Sequence, residues 1–239
     1  MIFMTTESLN KLDHVRQSFN AVTSRTDRSE IGQFLTPASI ADFMSSLFEP
    51  RTKIIRILDP GAGTGILFAA CVGKLLSQKQ LPISIEVVAY ETDITILQHL
   101  RETMDLCDAQ CKEHNVPFNG IIKEDDFIAS AIDETEESLF AIPCRHFTHA
   151  ILNPPYKKIN GDTETKNMLH SAGIEVTNLY AAFVWLSMRL LEHDGQIVAI
   201  TPRSFCNGPY FKKISNRLSG FVKSQTYSCV CFTQQSFWR

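Results

Sequence analysis

Several features that would place a protein in a common class are missing from this sequence. No apolar run is long enough to cross a bilayer, which takes about 20 residues. The first residues lack the basic stretch and the apolar stretch of a signal peptide. The seven cysteines form no Cys-x-x-Cys pair and are odd in number, so neither zinc nor disulfides are expected. These absences favour a cytoplasmic protein with no metal ion and no membrane partner.

What the sequence does contain is typical of a globular protein with an uneven charge distribution. Its 239 residues are 44% hydrophobic and 21% charged. Residues 1–150 carry 13 basic and 21 acidic side chains, whereas residues 151–239 carry 10 basic and 5 acidic. A basic second half suits contact with a polyanion such as a nucleic acid, although charge also varies along chains that bind none.

The most unusual stretch is Asn153-Pro154-Pro155-Tyr156, which follows the apolar run 147–152. Two prolines fix φ near −65° and donate no backbone hydrogen bond, and the residue before each is pushed to extended geometry. The sequence therefore predicts a strand that ends in a rigid turn. That turn presents an amide, carbonyl oxygens and an aromatic ring.

A glycine turn, Asp59-Pro60-Gly61-Ala62-Gly63-Thr64-Gly65, follows the β-branched run 54–58 and precedes an apolar helix. Strand, glycine turn and helix open a nucleotide-binding α/β fold. The spacing differs from the Gly-x-Gly-x-x-Gly of dinucleotide sites, and no Gly-Lys-Ser/Thr follows, which excludes a P-loop. An acid at position 59 favours a cationic or hydroxyl-bearing ligand over a phosphate.

Two further predicted strands end in acidic residues. The strand 85–90 ends at Glu91, which suits a grip on ribose hydroxyls, and Asp93 is placed to cap a helix whose apolar face includes Ile94. A short strand at 121–122 precedes Asp126 and Phe127, an acid and a ring that suit an adenine. The alternative for each acid is a solvated residue at a strand end.

The remaining segments are predicted from local patterns. Residues 8–22 have helical periodicity, and Thr36 before Pro37 is typical of a helix N-cap. Residues 157–175 are polar and predict a mobile loop, followed by a helix from Leu179, a strand over 196–200 and a sixth strand over 227–232.

Taken in order, these motifs resemble the S-adenosylmethionine-dependent N6-adenine DNA methyltransferases of type II restriction–modification systems. The upstream element Gly32-Gln33-Phe34-Leu35-Thr36-Pro37 places the likeness with the gamma class, in which cofactor motifs come first. The resemblance spans roughly residues 30 to 215. It implies a Rossmann-like α/β fold with a mostly parallel sheet and helices on both faces.

The same resemblance implies a division into domains. Residues 1–30 would be a helical extension and residues 31–239 the catalytic domain. The family has a seventh, antiparallel strand and a separate target-recognition domain. We expect both to be absent from this chain, which would then hold DNA only weakly and without sequence preference.

The resemblance also implies a role for each candidate residue. Gln33, Phe34 and Thr36 would bind the methionine end of S-adenosylmethionine, and Asp59 would lie near its amino group, with Gly61 and Gly63 letting the backbone approach. Glu91 would bind the ribose. Thr92, Asp126 and Phe127 would contact the adenine. Asn153 and Pro154, with Pro155, would hold the target base, and Tyr156 would stack on it.

The expected activity is transfer of a methyl group to the N6 amine of adenine in duplex DNA, with a C-terminal recognition domain or a nuclease as partner. Asn-Pro-Pro-Tyr also occurs in enzymes that methylate a glutamine of release factors, which lack the Gln-Phe-x-Thr-Pro element. RNA methylation is a further possible activity, and a non-catalytic S-adenosylmethionine-binding module would have the same cofactor motifs.

Overall fold

The computed structural model describes residues 35–49, 51–136, 147–159, 163–202 and 226–232. The predicted extension over residues 1–30, with its helix, lies outside these ranges. Helices in the described ranges are α1 (Ala38–Ser46), α2 (Ile66–Leu76), α3 (Leu97–Glu113), α4 (Phe127–Glu136), α5 (Glu164–Ser171) and α6 (Leu179–Leu190). Strands are β1 (Ile54–Pro60), β2 (Ser84–Tyr90), β3 (Phe118–Lys123), β4 (Phe147–Leu152), β5 (Leu191–Pro202) and β6 (Thr226–Phe232).

The six strands form one sheet in the order β3-β2-β1-β4-β5-β6, and every pairing in it is parallel. Strands β2 and β3 add successively on one side of β1, and β4 then pairs with β1 on its other side. The crevice beside such a reversal, at the carboxyl ends of the strands, is where open α/β sheets bind ligands. The predicted sixth strand is confirmed as β6, which pairs with β5 along its whole length.

Helices cover both faces of the sheet, as the sequence predicts for a strand buried on each side. One core packs α1, α2 and α3 on alternate residues of β1, such as Ile55 and Ile57. The other packs α4, α5 and α6 on the opposite face, which includes Leu58. Helix α2 is apolar on nearly every side, and Lys74 alone among its residues is exposed. No helix in the described ranges is long and apolar enough to span a membrane.

The segment that follows helix α1 is hydrogen-bonded to strand β5. The Gln196 side chain on β5 accepts a hydrogen bond from the Glu49 backbone N–H at 2.8 Å and donates one to the Glu49 carbonyl at 2.7 Å. Gln196 is 3% exposed, so both of its polar groups are satisfied inside the protein. This pair of bonds fixes the segment after α1 relative to the strands.

The predicted mobile loop over residues 157–175 is wrong, because helix α5 occupies Glu164–Ser171. Leu169 on α5 is 1% exposed and joins the core under α4 and α6, which stabilises the helix against its polar composition. Ahead of α5, the segment around Lys158 pairs in antiparallel fashion with Asn178. The bonds are Ile159 N–H to the Thr177 carbonyl at 2.9 Å and Leu179 N–H to the Lys157 carbonyl at 3.0 Å.

Two expectations at helix starts are also wrong. Helix α1 begins at Ala38 with Pro37 as its N-cap and no side-chain capping bond, so Thr36 does not cap it. Helix α3 begins at Leu97, and Ile94 lies outside it with 80% of its surface exposed. The cause at the second site is a turn in which Asp93 accepts hydrogen bonds from the Thr95 N–H and hydroxyl at 2.9 and 2.6 Å.

The two hydrogen bonds between the Gln196 side chain and the Glu49 backbone give a prediction about stability. Gln196→Ala removes both hydrogen-bond partners of the Glu49 backbone at a part-buried position, so we expect a loss of about 1–2 kcal/mol in the free energy of unfolding. The exposed Gln98, whose side chain bonds to Glu102 on its own helix, supplies the control Gln98→Ala. Urea denaturation of both variants measures the difference. Equal stability of the two variants would contradict the prediction.

Candidate active site

The carboxyl ends of the first four strands meet at one edge of the sheet, and each carries a candidate residue at or just after its end. Asp59 is the penultimate residue of β1, Glu91 follows β2, Asp126 follows β3 and Asn153 follows β4. Because β1 and β4 are neighbours, Asp59 and Asn153 belong to adjacent strands at the point where the strand order reverses. The structure therefore brings together, at one edge, four residues that are widely spaced in the sequence.

The glycine turn between β1 and α2 is held in left-handed backbone geometry. Gly63 has φ of +57° and Gly65, the N-cap of α2, has φ of +83°. A Cβ atom at Gly63 would lie 2.8 Å from Leu35 Cδ2, and one at Gly65 would lie 2.6 Å from the Phe68 ring. Backbone geometry therefore favours glycine at both positions, and the rigid Phe68 ring adds a steric reason at Gly65. Gly61, with φ of +72°, lies in the same turn.

Glu91 ties the end of β2 to this turn. One oxygen of its carboxylate, Oε2, accepts a hydrogen bond from the Gly63 N–H at 2.8 Å. The other, Oε1, accepts from the N–H groups of Thr92 and Asp93, both at 2.9 Å. Burial raises the pKa of Glu91, and the three hydrogen bonds act in the opposite direction. Thr92 itself is exposed, and the ribose and adenine roles of the two residues stay predictions.

Asp59 is the most deeply buried acid of the site. It is 0% exposed, and its Oδ2 accepts a long hydrogen bond of 3.3 Å from the Phe68 N–H at the start of α2. Its Oδ1 is buried with no hydrogen-bond partner among the described residues. Burial raises the pKa of Asp59, the Phe68 bond lowers it and the charge of Glu91 raises it, which together bring it to about 8. A cation beside the open Oδ1 would favour the ionised form of this carboxyl.

Asn153 is held by residues from two different parts of the chain. Its Nδ2 donates to the Thr36 hydroxyl at 3.1 Å, and its Oδ1 accepts from the Tyr156 hydroxyl at 3.2 Å. Thr36 is 4% exposed and Pro154 is buried, whereas Asn153, Pro155 and Tyr156 are half-buried. The Tyr156 ring lies 6.3 Å from the Tyr180 ring, between centroids. The Asn153 amide and the Tyr156 ring are therefore partly exposed at this edge of the sheet, and the residues beneath them, Thr36 and Pro154, are buried.

Asp126 and Phe127 form contacts within helix α4 and the core. Asp126 is exposed, and its Oδ1 accepts from the Ala129 N–H at 3.0 Å, which caps α4. Phe127 is 2% exposed, with its ring 5.2 Å from Tyr90 and 5.1 Å from Phe183. Their contact with an adenine stays a prediction. Gln33 and Phe34 lie outside the described residues.

Two residues at this edge were not among the predicted site residues. Leu35 is buried against the glycine turn, and Ile94 presents an exposed apolar side chain three residues after Glu91. Sequence periodicity assigns Ile94 to the core face of the next helix, so its pattern conceals its exposure. Leu35 lies beside Thr36 in the upstream element and could have been included on that ground. No cluster of three or more His, Cys, Asp or Glu side chains suited to a metal ion occurs in the described ranges.

Comparison with known proteins defines first the class and then the family. The fold matches a protein from Listeria monocytogenes described as a class I S-adenosylmethionine-dependent methyltransferase, with a TM-score of 0.61 and 15% identity, over 92% of this chain and 62% of that one. The chain thus has the Rossmann-like fold of class I methyltransferases. It belongs to the family described as Eco57I restriction-modification methylase, which it matches over residues 75–236.

Sequence relatives with names agree with this assignment. The chain is 41% identical over 218 residues to the type II methyltransferase M.BsuBI of Bacillus subtilis and 38% identical over 212 residues to M.PstI of Providencia stuartii. These matches cover 89% and 88% of this chain but 41% of the length of each relative. Of the candidate residues, Glu91, Asp126 and the Asn153 to Tyr156 turn lie within the family match, whereas Thr36 and Asp59 precede it.

The buried carboxyl of Asp59 gives a prediction about pH. Because its folded-state pKa is raised, the folded protein keeps a proton that the unfolded chain releases above its ordinary pKa of 3.8. Folding stability should therefore fall as the pH rises from about 4 to about 8, by up to about 1.4 kcal/mol per pH unit for one proton. The raised pKa of Glu91 acts in the same direction.

Asp59→Asn should remove the Asp59 share of this slope, measured as the difference in unfolding free energy between variant and wild type across that pH range. Asp105→Asn, at an exposed position on α3, is the matched control. A difference between wild type and Asp59→Asn that stays constant with pH would show that Asp59 is ionised in the folded protein throughout.

Proposed function

We propose that this chain carries the catalytic site of an adenine-specific DNA methyltransferase, which transfers a methyl group from S-adenosylmethionine to the N6 amine of adenine. The observation that carries the proposal is the position of the Asn153 amide. It is hydrogen-bonded to two hydroxyl groups, lies beside the Pro154 carbonyl, and directly follows β4, the neighbour of the strand that contains Asp59. Membership of a restriction-modification methylase family and the names of the type II relatives support it.

The residues of the first three strand ends fit S-adenosylmethionine. The unpaired Asp59 Oδ1 suits a positively charged amino group, and the Gly61 to Gly65 segment lets a ligand approach the backbone. Glu91 Oε2 accepts one hydrogen bond from protein, and a carboxylate oxygen can accept a second, here from a ribose hydroxyl. When bound, this cofactor supplies a methyl group on a positively charged sulfur. Ile94 offers the adenine an apolar surface.

Asn153 and Pro154 would act on the target amine. An adenine amine is a poor nucleophile, because its lone pair is delocalised into the ring. The Asn153 Oδ1 and the Pro154 carbonyl can each accept a hydrogen bond from that amine, which draws its nitrogen towards tetrahedral geometry and frees the lone pair. Catalysis of this kind depends on positioning and electrostatics rather than on a general base.

The target adenine would have to leave the duplex before it could reach this edge of the sheet. Enzymes that modify bases flip the nucleotide out, at a cost of a few kcal/mol for unstacking. The half-buried Tyr156 ring would stack on the flipped base and offset roughly 1–3 kcal/mol of that cost. We further propose residues 31–239 as the catalytic domain, with sequence selection supplied by a recognition domain and restriction by a nuclease partner.

Asn153→Ala tests this mechanism directly. We expect cofactor affinity to stay within about twofold of wild type by calorimetry, because the substitution leaves the carboxyl groups of Asp59 and Glu91 unchanged. Methyl transfer to unmethylated duplex DNA should fall about 10²–10³-fold, as when one oxyanion-hole donor is removed. Nucleoside mass spectrometry should identify the wild-type product as N6-methyladenine.

Asn119→Ala, which removes an exposed amide on β3 that is bonded to Glu86, is the control and should keep full activity. RNA and a release factor, offered in parallel, test for other methyl acceptors: label in either of those substrates, or in cytosine, would contradict the proposal. Cofactor binding without transfer to any of them would favour a non-catalytic binding module.

A pair of lysines beside the turn suits the DNA backbone. Lys157 and Lys158 are exposed, directly follow Tyr156, and lie in no ion pair within the described part of the chain. Their backbone is fixed by the antiparallel bridge to Asn178, so both charges stay close to the turn. We propose that they contact phosphates that flank the flipped nucleotide.

Lys157→Gln with Lys158→Gln should weaken DNA binding and reduce the slope of log K against log salt by about 1.8, because each phosphate contact contributes about 0.9. Fluorescence anisotropy of a labelled duplex over a salt series measures the slope. The control pair, Lys53→Gln with Lys79→Gln, removes the same charge from exposed positions at the opposite edge of the sheet. An equal change in both double variants would attribute the effect to net charge alone.

A further inference from the structure

The hydroxyl of Thr36 has its partner 117 residues away in the sequence. Asn153 Nδ2 donates to Thr36 Oγ1 at 3.1 Å, which joins the segment before α1 to the turn after β4. The local pattern of a threonine before a proline and a helix predicts a capping role, yet Pro37 is the N-cap of α1 and no side chain caps the helix. The Thr36 hydroxyl is therefore available for the active-site asparagine.

Thr36 is placed by contacts that do not involve Asn153. Its neighbour Leu35 packs on the glycine turn, where it fills the space that a Cβ at Gly63 would need. Pro37 has φ of −63° and leads into α1, whose Ala41 and Met44 are 0% exposed in the core. The far end of α1 is fixed by the Gln196 bonds described above. Thr36 is thus a fixed point against which a neighbouring side chain can be oriented.

An asparagine amide needs such a fixed point, because its terminal torsion is broad and roughly two-fold. In this structure one hydroxyl holds each end of the amide, Thr36 at Nδ2 and Tyr156 at Oδ1. With Nδ2 turned towards the protein, Oδ1 is directed away from Thr36. An amide oxygen has two lone pairs, so a target amine can bond to Oδ1 alongside or in place of a donor from the protein.

We infer that Thr36 is a positioning residue for methyl transfer, which holds the Asn153 amide so that its oxygen, rather than its nitrogen, meets the target amine. The inference rests on the proposed function for the nature of that amine. It assigns the Thr36 hydroxyl to the transfer step, in contrast to the contact with the methionine end of the cofactor that the family resemblance implies. The two roles differ in what the loss of the hydroxyl should change.

Thr36→Val keeps the size and branching of the side chain and removes the hydroxyl. We expect kcat to fall roughly tenfold to hundredfold, the effect of losing one buried hydrogen bond. The dissociation constant for S-adenosylmethionine, measured by calorimetry, should stay within about twofold of wild type. Thr36→Ser should restore most of the activity. In an Asn153→Ala background, Thr36→Val should cause no further loss, because the two residues act as one unit.

A second readout does not depend on activity. The side-chain NH₂ signals of Asn153 in an ¹⁵N–¹H spectrum of the free protein are identified by their absence from Asn153→Ala. They should shift in Thr36→Val and return in Thr36→Ser. Thr52→Val, at an exposed position before β1, is the control and should leave them unchanged. Thr36→Ala provides a second hydroxyl-free variant if Thr36→Val lowers the melting temperature.

Unchanged Asn153 signals in both hydroxyl-free variants would overturn the inference, as would a wild-type kcat. A raised dissociation constant for the cofactor with unchanged kcat would assign Thr36 to the cofactor and also overturn it. Failure of the proposed function looks different. In that case the wild-type protein would form no N6-methyladenine, while the spectra would still report whether Thr36 holds Asn153.

Discussion

The buried carboxylate of Glu91 is the interaction on which the geometry of the site depends. It accepts hydrogen bonds from three backbone N–H groups, one in the glycine turn and two in the chain just after β2. Such charge-assisted bonds are about twice as strong as neutral ones and offset part of the cost of burying the charge, since the pKa of Glu91 remains raised. The glycine turn is permissive by itself, because left-handed glycines tolerate many conformations. Glu91 selects one of them, and that choice fixes the start of α2 and the N–H that meets Asp59.

The central frame of the site could be predicted from the sequence, because parallel strands leave a strong local signal. Strands buried on both faces read as short β-branched runs, and their ends are marked by glycine, proline or acid. Since parallel strands place their carboxyl ends at one edge, Asp59, Glu91 and Asn153 could be expected to converge before any coordinates were known. The described sheet has this arrangement, with the reversal of strand order between β1 and β4.

The parts that could not be predicted are those in which particular contacts override the periodicity or the composition of a segment. Thr36 fits a capping pattern, yet its hydroxyl bonds to Asn153 from a distant segment. Ile94 fits the apolar period of α3, but the bonds of Asp93 to Thr95 form a turn that leaves it exposed. The polar composition of residues 164–171 argues for a loop, and the burial of Leu169 decides for a helix. For Thr36 and Leu169 the deciding contacts come from segments distant in the sequence, whereas at Ile94 a local turn overrides the helical period.

The proposed mechanism uses no general base, and the protonation states at this edge agree with that proposal. His149 lies four residues before Asn153, but burial lowers its pKa to about 4, and its ring packs 4.8 Å from Phe48 rather than on the turn. Asp59, with a pKa of about 8, can meet a cation at neutral pH only by releasing a proton. Asn153 does not titrate at all. The groups that would meet the target amine are therefore neutral acceptors, whose effect depends on orientation, and the hydroxyl of Thr36 bears on that orientation directly.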